Sequence, residues 1–318
     1  MSARPIEQRD LQVAMTLAVL TTFGESGSAA EIGATISRYL EHPSLPTANS
    51  WTIAWGPAIE DSNMWYIAVG PDASGGQRYT LVIRGTNVWS LRSLREDFEV
   101  DLVELPFLDP QASSAIRVEA GFAKSYRNLV AAVAPATKST AFQFLDDHLT
   151  AGQCLDVVGH SLGGAIAPIV GAAVKARYGS AALRVLAFAG QSPGNREFAE
   201  YFAGQFPDQP SCWINDLDII PMWYAGLDRM VETYGPVGPM CPSELRTAWE
   251  VIKPAFPAFC ALLTPHRFTG ELSAQTSWFA ELAAQHSCYY YLHMTGVATA
   301  VINECIDPKW VPPSGAAK

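Results

Sequence analysis

The sequence predicts an α/β protein built on a mostly parallel, twisted β-sheet with helices on both faces. From Gly121 onward, helical and strand-like segments alternate, which is typical of parallel strands joined by helical crossovers. Short apolar or alternating runs precede this region and are separated by turn-rich segments, as in antiparallel strands. The two patterns together predict one domain over residues 1–318, with antiparallel strands beside the parallel ones.

The hydrophobic periodicity places the elements along the chain. Two helices are predicted at about residues 5–23 and 29–41, followed by the strands WTIAW, MWYIAVG and YTLVIRG. The alternating region contains the helices GFAKSYRNLVAAV, AFQFLDDHLTAG and NREFAEYFAGQF, a long helix after Ser161, and the strands CLDVV, LRVLAFAG and CWIND. Residues 222–280 are rich in proline, glycine and aromatic residues and lack clear periodicity, so we interpret them as a cap or lid insertion over the site. A final helix carries HSCYYYLHMTG.

Composition and charge exclude several classes of protein. Hydrophobic residues make up 49% of the 318 residues and charged residues only 16%, which supports a sizeable core. A net charge of −10 argues against binding to nucleic acid, because phosphate contacts require clustered Lys and Arg. No apolar run reaches the roughly 18 residues of a transmembrane helix, although adsorption to a lipid–water interface remains compatible with the charge.

The N-terminal segment and the cysteines bear on the cellular compartment. Acidic and basic side chains alternate in residues 4–10, unlike the positive start of a signal peptide, so LQVAMTLAVLTTFG is interpreted as a packed helix. The six cysteines form no C-x-x-C pair and predict reduced thiols. A cytoplasmic location is favoured, with secretion by a route without a recognisable signal peptide as the alternative. Cys241 and Cys260 are the pair most worth testing for a disulfide.

The segment CLDVVGHSLGGAIAPIVGAAV contains a G-x-S-x-G pattern with Ser161 at its centre. The apolar run before it predicts a buried strand and the run after it predicts a helix of about four turns. Small residues between them permit the sharp turn that exposes a nucleophilic serine at a helix N-terminus. The N–H of Leu162 would then face the negative charge that develops on a substrate oxygen. The structural alternative is a serine that merely occupies a glycine-rich turn.

A nucleophilic serine needs a base, and the base needs an orienting acid. In a strand–turn–helix arrangement of this kind the acid and then the histidine follow the serine along the chain. His160 lies in the same tight turn and is interpreted as a packed neighbour. The remaining candidates lie beyond Ser161 and comprise three histidines and two aspartates: His266, His286, His293, Asp216 and Asp218.

Seven segments in collinear order resemble the class 3 lipases, the fungal-type lipase family of the α/β-hydrolase superfamily. They cover about residues 80–302 and read YTLVIRGT, EDFEVDL, VEAGFAKSY, DVVGHSLGGAIA, LAFAGQSPGN, INDLDIIP and QHSCYYYLHMTG. The resemblance implies an α/β-hydrolase fold. Position by position, it implies Ser161 as nucleophile, Asp218 as acid, His286 as base, and Thr86 and Leu162 as the oxyanion-hole residues.

The resemblance implies a carboxylic ester hydrolase, a lipase acting on acylglycerol esters through an acyl-enzyme. A short-chain esterase, a phospholipase A1 or an acyltransferase on the same site are the alternatives, and a non-catalytic binding module on a hydrolase scaffold is the alternative from another class. No metal or organic cofactor is implied. Activity is expected to fall on acidification, because a protonated His286 cannot accept the serine proton.

Two segments are candidates for a lid. Residues 87–96 form a short amphipathic piece, NVWSLRSLRE, at the place where fungal-type lipases carry their lid. Residues 222–263 offer more apolar surface. The alternative is that they form an ordinary connecting segment packed on the domain, with no lid role.

Overall fold

The computed structural model confirms the predicted architecture of a mixed sheet covered by helices on both faces. The structure describes residues 5–313, apart from 25, 74, 86–100, 106, 108–114, 180, 208–211, 236, 257, 263–264 and the side chains of 252 and 255. The predicted oxyanion residue Thr86 and the lid candidate 87–96 therefore lie outside the described residues.

The N-terminal elements are two helices and three antiparallel strands, as predicted. They are α1 (Gln8–Leu20), α2 (Ala29–Leu40), β1 (Thr52–Glu60), β2 (Asn63–Pro71) and β3 (Gln77–Ile83). The turn-rich segment predicted between the strands WTIAW and MWYIAVG is shorter than expected, because β1 continues to Glu60 and only Asp61 and Ser62 turn the chain. A register shift between Trp55 and Ala58 accommodates Gly56 and Pro57 inside the strand.

The alternating region follows the predicted order of helices and strands. Its elements are β4 (Leu102–Glu104), β5 (Arg117–Glu119), α3 (Ala120–Ala131), α4 (Ala141–His148), β6 (Cys154–His160), α5 (Leu162–Arg177), β7 (Ala182–Phe188), β8 (Gly194–Asn195), α6 (Arg196–Gln205) and β9 (Cys212–Asn215). Strands β3, β6, β7 and β9 pair in parallel. Their carboxyl ends therefore meet at one edge of the sheet, where ligands of open α/β sheets bind.

The C-terminal part combines irregular chain with short elements. These are α7 (Leu227–Met230), α8 (Ser243–Ile252), β10 (Phe259–Cys260), β11 (His266–Phe268), α9 (Trp278–Gln285), α10 (Cys288–Met294) and α11 (Thr299–Cys305). Strand β11 pairs in parallel with β9 and completes the seven-stranded order β1-β2-β3-β6-β7-β9-β11. The segment 222–280 is thus not one continuous excursion, because residues 266–268 belong to the central sheet. A smaller sheet has the order β10-β8-β5-β4.

The core lies on both faces of the central sheet. One face packs against α3, α4, α5 and α6, and the other packs against α1, α2, α10 and α11. Helix α1 contacts β3, β6 and β7, which confirms that the apolar N-terminal segment is a packed helix. No helix within the described ranges is long and apolar enough to cross a membrane.

Cys241 and Cys260, the pair most worth testing for a disulfide, are both free thiols in the structure. All six cysteines lie in the described part of the chain, and no two of them are joined. The Cys241 thiol donates to Pro242 O at 3.7 Å, and the Cys260 thiol donates to Ala261 O at 3.4 Å. Each thiol is thus engaged with the backbone of its own loop.

Candidate active site

Ser161 occupies a strained turn between β6 and α5. Its φ of 59° and ψ of −124° are unusual for a residue other than glycine. Two backbone hydrogen bonds fix this conformation: Ser161 N–H donates to Phe188 O at 3.0 Å, and Ala165 N–H donates to Ser161 O at 3.0 Å. The strand–turn–helix context that the sequence predicted is therefore present, and it holds the hydroxyl at the first turn of α5.

Glycines let three backbone segments converge below this turn. A Cβ at Gly159 would overlap with the Gly163 backbone, and a Cβ at Gly163 would overlap with Ile83 O at the end of β3. No side chain could be accommodated at either position without moving backbone atoms. The glycines of the motif are thus required by close packing on both sides of the serine.

A hydrogen-bonded trio joins three side chains that are far apart in sequence: Ser161, His286 and Asp218. His286 Nε2 lies 2.8 Å from Ser161 Oγ, and His286 Nδ1 lies 2.7 Å from Asp218 Oδ2. Ser161 and Asp218 are 1% exposed and His286 is fully buried. Asp218 follows β9 and His286 caps the C-terminus of α9, so the sheet edge and α9 bring the two partners to the serine.

Asp218 accepts two further hydrogen bonds. Ile220 N–H donates to Oδ1 at 3.0 Å, and the Tyr291 hydroxyl donates to Oδ2 at 2.8 Å, the same oxygen that faces His286. The Tyr291 oxygen in turn accepts from Asn215 N–H at 2.9 Å. Burial, with Asp218 as the second cause, raises the pKa of Tyr291 well above its usual value, so the phenol remains a neutral donor.

A buried polar chain supports the peptide that carries His286. Asn215 Nδ2 donates to Gln285 O and Oε1, and Gln285 Nε2 donates to Glu281 Oε1 at 2.7 Å. Glu281 also accepts from the N–H and hydroxyl of Ser273. Gln285 and Glu281 are fully buried. Because buried polar groups are costly when unpaired, this chain fixes the end of α9 and hence the position of the histidine.

The other sequence candidates lie elsewhere. Asp216 Oδ1 accepts from Gly270 N–H at 2.6 Å, His266 is exposed on β11, and His293 Nδ1 lies 3.2 Å from Val297 O. His160 packs its ring 5.0 Å from the ring of His286, as a packed neighbour. Burial, followed by the nearby His286, holds the pKa of His160 well below its usual value.

Sequence reasoning missed Tyr291. Three tyrosines follow His286 in QHSCYYYLHMTG, and the one whose hydroxyl reaches Asp218 lies five residues after the histidine. The three consecutive tyrosines on one short helix differ by about 100° in direction, so the predicted helix was the signal that could have separated them.

Of the two predicted oxyanion residues, Leu162 lies within the described part of the chain. Leu162 is the first residue of α5, where backbone N–H groups have no acceptor within the helix. Thr86 is not described, but the preceding Gly85 lies against the turn: a Cβ there would be 3.2 Å from Ser161 Cβ. The chain that leads into Thr86 therefore approaches the serine directly.

A cavity of about 50 Å³ lies beside the trio. Its walls include Gly164 of the first turn of α5, Asp218, Met222, Leu262 and Arg267. Gly190 and Ser192, in the segment that follows β7, also line it. Asp218 is the member of the trio that lines this partly apolar recess at the carboxyl edge of the sheet. The chemistry of these side chains requires no metal or organic cofactor.

The sheet order, the turn at Ser161 and the buried trio define an α/β-hydrolase. Residues 80–226, slightly less than half of the chain, match the sequence model of the family described as lipase (class 3). The match and the buried trio support a serine carboxylester hydrolase.

Solved lipases share this fold. The M37 lipase is 20% identical and superimposes with a TM-score of 0.77 over 92% of this chain and 93% of its own. A triacylglycerol lipase described as having a serine-protease triad is 21% identical, with a TM-score of 0.50 over 70% of this chain and 76% of its own. The MDLA protein of Penicillium cyclopium is 18% identical, with a TM-score of 0.50 over 85% of this chain and 83% of its own. No curated protein matches the sequence.

Proposed function

We propose that Ser161, His286 and Asp218 are the catalytic triad of a lipase that hydrolyses acylglycerol esters. The observation that carries this proposal is the pair of short hydrogen bonds through His286, 2.8 Å to Ser161 Oγ and 2.7 Å to Asp218 Oδ2. An aliphatic hydroxyl becomes an effective nucleophile when an oriented imidazole can take its proton.

The proposed reaction passes through an acyl-enzyme. Ser161 Oγ attacks the ester carbonyl while His286 Nε2 takes the hydroxyl proton, and Asp218 stabilises the imidazolium. His286 then returns the proton to the leaving alcohol, and water repeats the sequence to release the acid and free Ser161. The proposed oxyanion donors are the backbone N–H of Leu162 and the residue Thr86. Loss of such a donor typically raises the activation barrier by about 2.7–4 kcal/mol.

We propose that part of the acyl chain occupies the recess beside the triad. Met222 and Leu262 give it apolar walls, and Gly164 places it against the first turn of α5. The recess is small, so a long acyl chain would extend beyond it along the cap segment. This arrangement supports an acylglycerol whose chain leaves the site over apolar surface.

We propose that a covering segment moves to admit the ester, because all three triad side chains are at most 1% exposed. Residues 87–96 and 222–263 remain the candidates. The second segment packs Trp223, Met230 and Trp249 around Ile219 and Ile220, beside Asp218. It also exposes Val237 and Met240, each 82% accessible, to solvent. Exposed apolar side chains on a covering segment favour action at a lipid–water interface.

The experiment that tests the mechanism measures hydrolysis of p-nitrophenyl and glycerol esters of increasing chain length, with and without an emulsified interface. Ser161→Ala is expected to lower kcat by at least about 10³-fold, because the nucleophile is lost. Ser26→Ala, at an exposed serine outside both candidate lid segments, is the control and is expected to retain activity. His286→Gln should abolish hydrolysis while His293→Gln should not. Wild-type rates in Ser161→Ala would refute the mechanism.

The chain-length profile separates the proposed lipase from its alternatives. Faster hydrolysis of long-chain glycerol esters in the presence of an interface would support the lipase. Confinement to acetate and butyrate with no gain at an interface would identify a short-chain esterase. Faster release of fatty acid from a phospholipid than from triacylglycerol would identify a phospholipase A1.

We also propose a reducing compartment, the cytoplasm, for the protein. Six cysteines without a disulfide support this proposal, because disulfides are rare where thiols are kept reduced. Alkylation of freshly extracted protein, followed by mass measurement, would contradict the proposal if it revealed a disulfide.

A further inference from the structure

We propose that His42, Glu304 and Cys305 form a binding site for a divalent transition metal, with Zn²⁺ as its best occupant. His42 lies in the loop that follows α2, and the other two residues end α11. The hydrolase chemistry does not use these residues. Their ligand atoms all lie within 4.8 Å of one another, although 262 and 263 residues separate His42 from its two partners.

The distance between sulfur and nitrogen fits a shared metal ion. Cys305 Sγ lies 3.3 Å from His42 Nδ1 and 3.9 Å from Nε2. A tetrahedral zinc bound at about 2.3 Å by sulfur and about 2.05 Å by nitrogen would separate the two ligands by about 3.6 Å. The two observed distances lie on either side of this value, so either ring nitrogen could bind with a small rotation of the imidazole.

Ser44 organises the other two ligands. Its N–H donates to His42 Nδ1 at 3.3 Å, and its hydroxyl donates to Glu304 Oε1 at 3.3 Å. Such contacts from a neighbouring residue orient metal ligands before the ion arrives. When Nδ1 accepts from Ser44, Nε2 is the atom that would bind the metal. Glu304 is exposed and could close the remaining distance by a change of rotamer.

The donor set selects the kind of metal. One thiolate, one imidazole and one carboxylate suit Zn²⁺ and related transition metals, whereas Mg²⁺ and Ca²⁺ require mainly oxygen ligands. Burial, followed by Glu304, raises the pKa of Cys305, so metal binding would release the thiol proton to the buffer. Three protein ligands leave a fourth position for water.

The consequence of occupancy would be structural. The ion would tie the loop after α2 to α11, whose Cys305 packs in the same apolar cluster as Tyr291, the residue that contacts Asp218. A ligand that binds only the folded state raises its stability by mass action. At a free Zn²⁺ concentration of about 100 times Kd, we expect the Tm to rise by about 4 °C in a chain of this length.

The test titrates chelator-treated, reduced protein with Co²⁺ and Zn²⁺, each alone. Co²⁺ bound to a thiolate gives a near-ultraviolet charge-transfer band, which is expected to reach its maximum at one equivalent and to disappear when Zn²⁺ displaces the ion. Cys305→Ser is expected to lose this band, and Cys260→Ser, a cysteine outside the site, is expected to keep it. Retention of the band in Cys305→Ser would overturn the proposal, as would its absence in the wild type.

A second variant covers the case in which Cys305→Ser fails to fold, since Cys305 is 92% buried. Glu304→Gln changes an exposed side chain and is expected to weaken Zn²⁺ binding at least about tenfold. Equal Zn²⁺ affinities for Glu304→Gln and wild type would exclude Glu304 from the site and contradict the proposal. Ester hydrolysis is measured in parallel, and its persistence without metal would leave the proposed triad intact whichever way the metal test falls.

Discussion

At the scale of single residues, Asp218 Oδ2 is the atom of the proposed triad that accepts two side-chain hydrogen bonds. It accepts from both His286 Nδ1 and the Tyr291 hydroxyl, at 2.7 and 2.8 Å. Two donors in fixed directions hold the carboxylate in one rotamer, and a fixed carboxylate in turn selects one orientation of the imidazole. Tyr291 is therefore a positioning residue that acts on the serine through two other side chains.

Tyr291→Phe removes one of these donors while preserving the ring. We expect kcat to fall about tenfold with little change in KM, because a hydrogen bond to a charged group contributes about 1.5–3 kcal/mol and only part of that is expressed in the barrier. The effect is expected on kcat because a less firmly held Asp218 orients the imidazole less well. Steady-state kinetics of Tyr291→Phe and of the control Tyr289→Phe measure kcat and KM separately. An unchanged kcat would show that Ile220 and His286 hold Asp218 without the phenol.

His160 makes the folded state sensitive to mild acid. Its pKa is held well below 6.5 by burial and by His286, so the unfolded chain binds a proton that the folded protein does not. The stability from this group is complete above about pH 6.5 and is lost as the pH falls below it.

We therefore predict that His160→Asn reduces the acid sensitivity of folding. The wild type is expected to lose about 2 kcal/mol of unfolding free energy between pH 7 and pH 5 through this histidine, and the variant is expected to lose correspondingly less. Urea unfolding at several pH values measures the difference. Parallel curves for the two proteins would contradict the assignment.

At the scale of elements, β6 and α5 act as one unit because their glycines let the backbones touch. Gly163 has no room for a Cβ beside Ile83 O, whereas a Cβ at Gly204 of α6 would meet nothing within 4 Å. The same substitution in two helices should therefore have opposite effects.

Gly163→Ala is expected to destabilise the fold by several kcal/mol and to abolish hydrolysis, because the start of α5 must move away from β3. Gly204→Ala, in the last turn of α6, is expected to stabilise the protein by about 0.4–1 kcal/mol, chiefly because alanine restricts the unfolded chain, and to leave activity unchanged. Thermal unfolding and esterase rates of both variants test the contrast. Comparable stability of the two variants would show that the turn can absorb a methyl group.

The hydrophobic pattern of the sequence predicted those helices and strands whose local conformational preference agrees with their place in the folded protein. The apolar run before Ser161 and the small-residue run after it became β6 and α5, and the order of partners along the chain led to Asp218 and His286. Strand β11 was missed because three residues have too little periodicity, and its pairing with β9 arises only in the folded sheet. The continuation of β1 through Pro57 was missed for a similar reason, since a register shift compensates for residues that usually mark turns.

At the scale of the whole molecule, the N-terminal helix is joined to the sheet by four buried charges. Arg184 donates to both oxygens of Asp156 at 2.8 Å and to Asp10 Oδ2 at 3.0 Å, and Arg78 donates to Asp10 Oδ1 at 2.5 Å. All four residues are at most 5% exposed. The two carboxylates balance the two guanidinium groups, so the cluster is neutral within a core that would not tolerate an unpaired charge.

Asp10 is the member of this cluster that belongs to α1, and it also accepts from Glu7 N–H at 3.0 Å. Burial alone would raise the pKa of Asp10, but Arg184, the Glu7 N–H and Arg78 together lower it well below its usual range. A depressed carboxylate pKa contributes stability that is present above about pH 4 and is lost as the pH falls further. The cluster thus supports α1 across neutral pH and fails only in strong acid.

Asp10→Asn is expected to lower the free energy of unfolding at pH 7 by about 3–5 kcal/mol, because it leaves two buried guanidinium groups to share one carboxylate. Urea unfolding measures the loss, and Asp61→Asn is the matched control: Asp61 pairs with Lys124 at 3.8 Å on the surface, where such pairs contribute about 0–1 kcal/mol. The difference between Asp10→Asn and wild type should shrink below pH 4, since protonation removes the same charge from the wild type. An effect of Asp10→Asn no larger than that of Asp61→Asn would mean that apolar packing alone holds α1 against β3, β6 and β7.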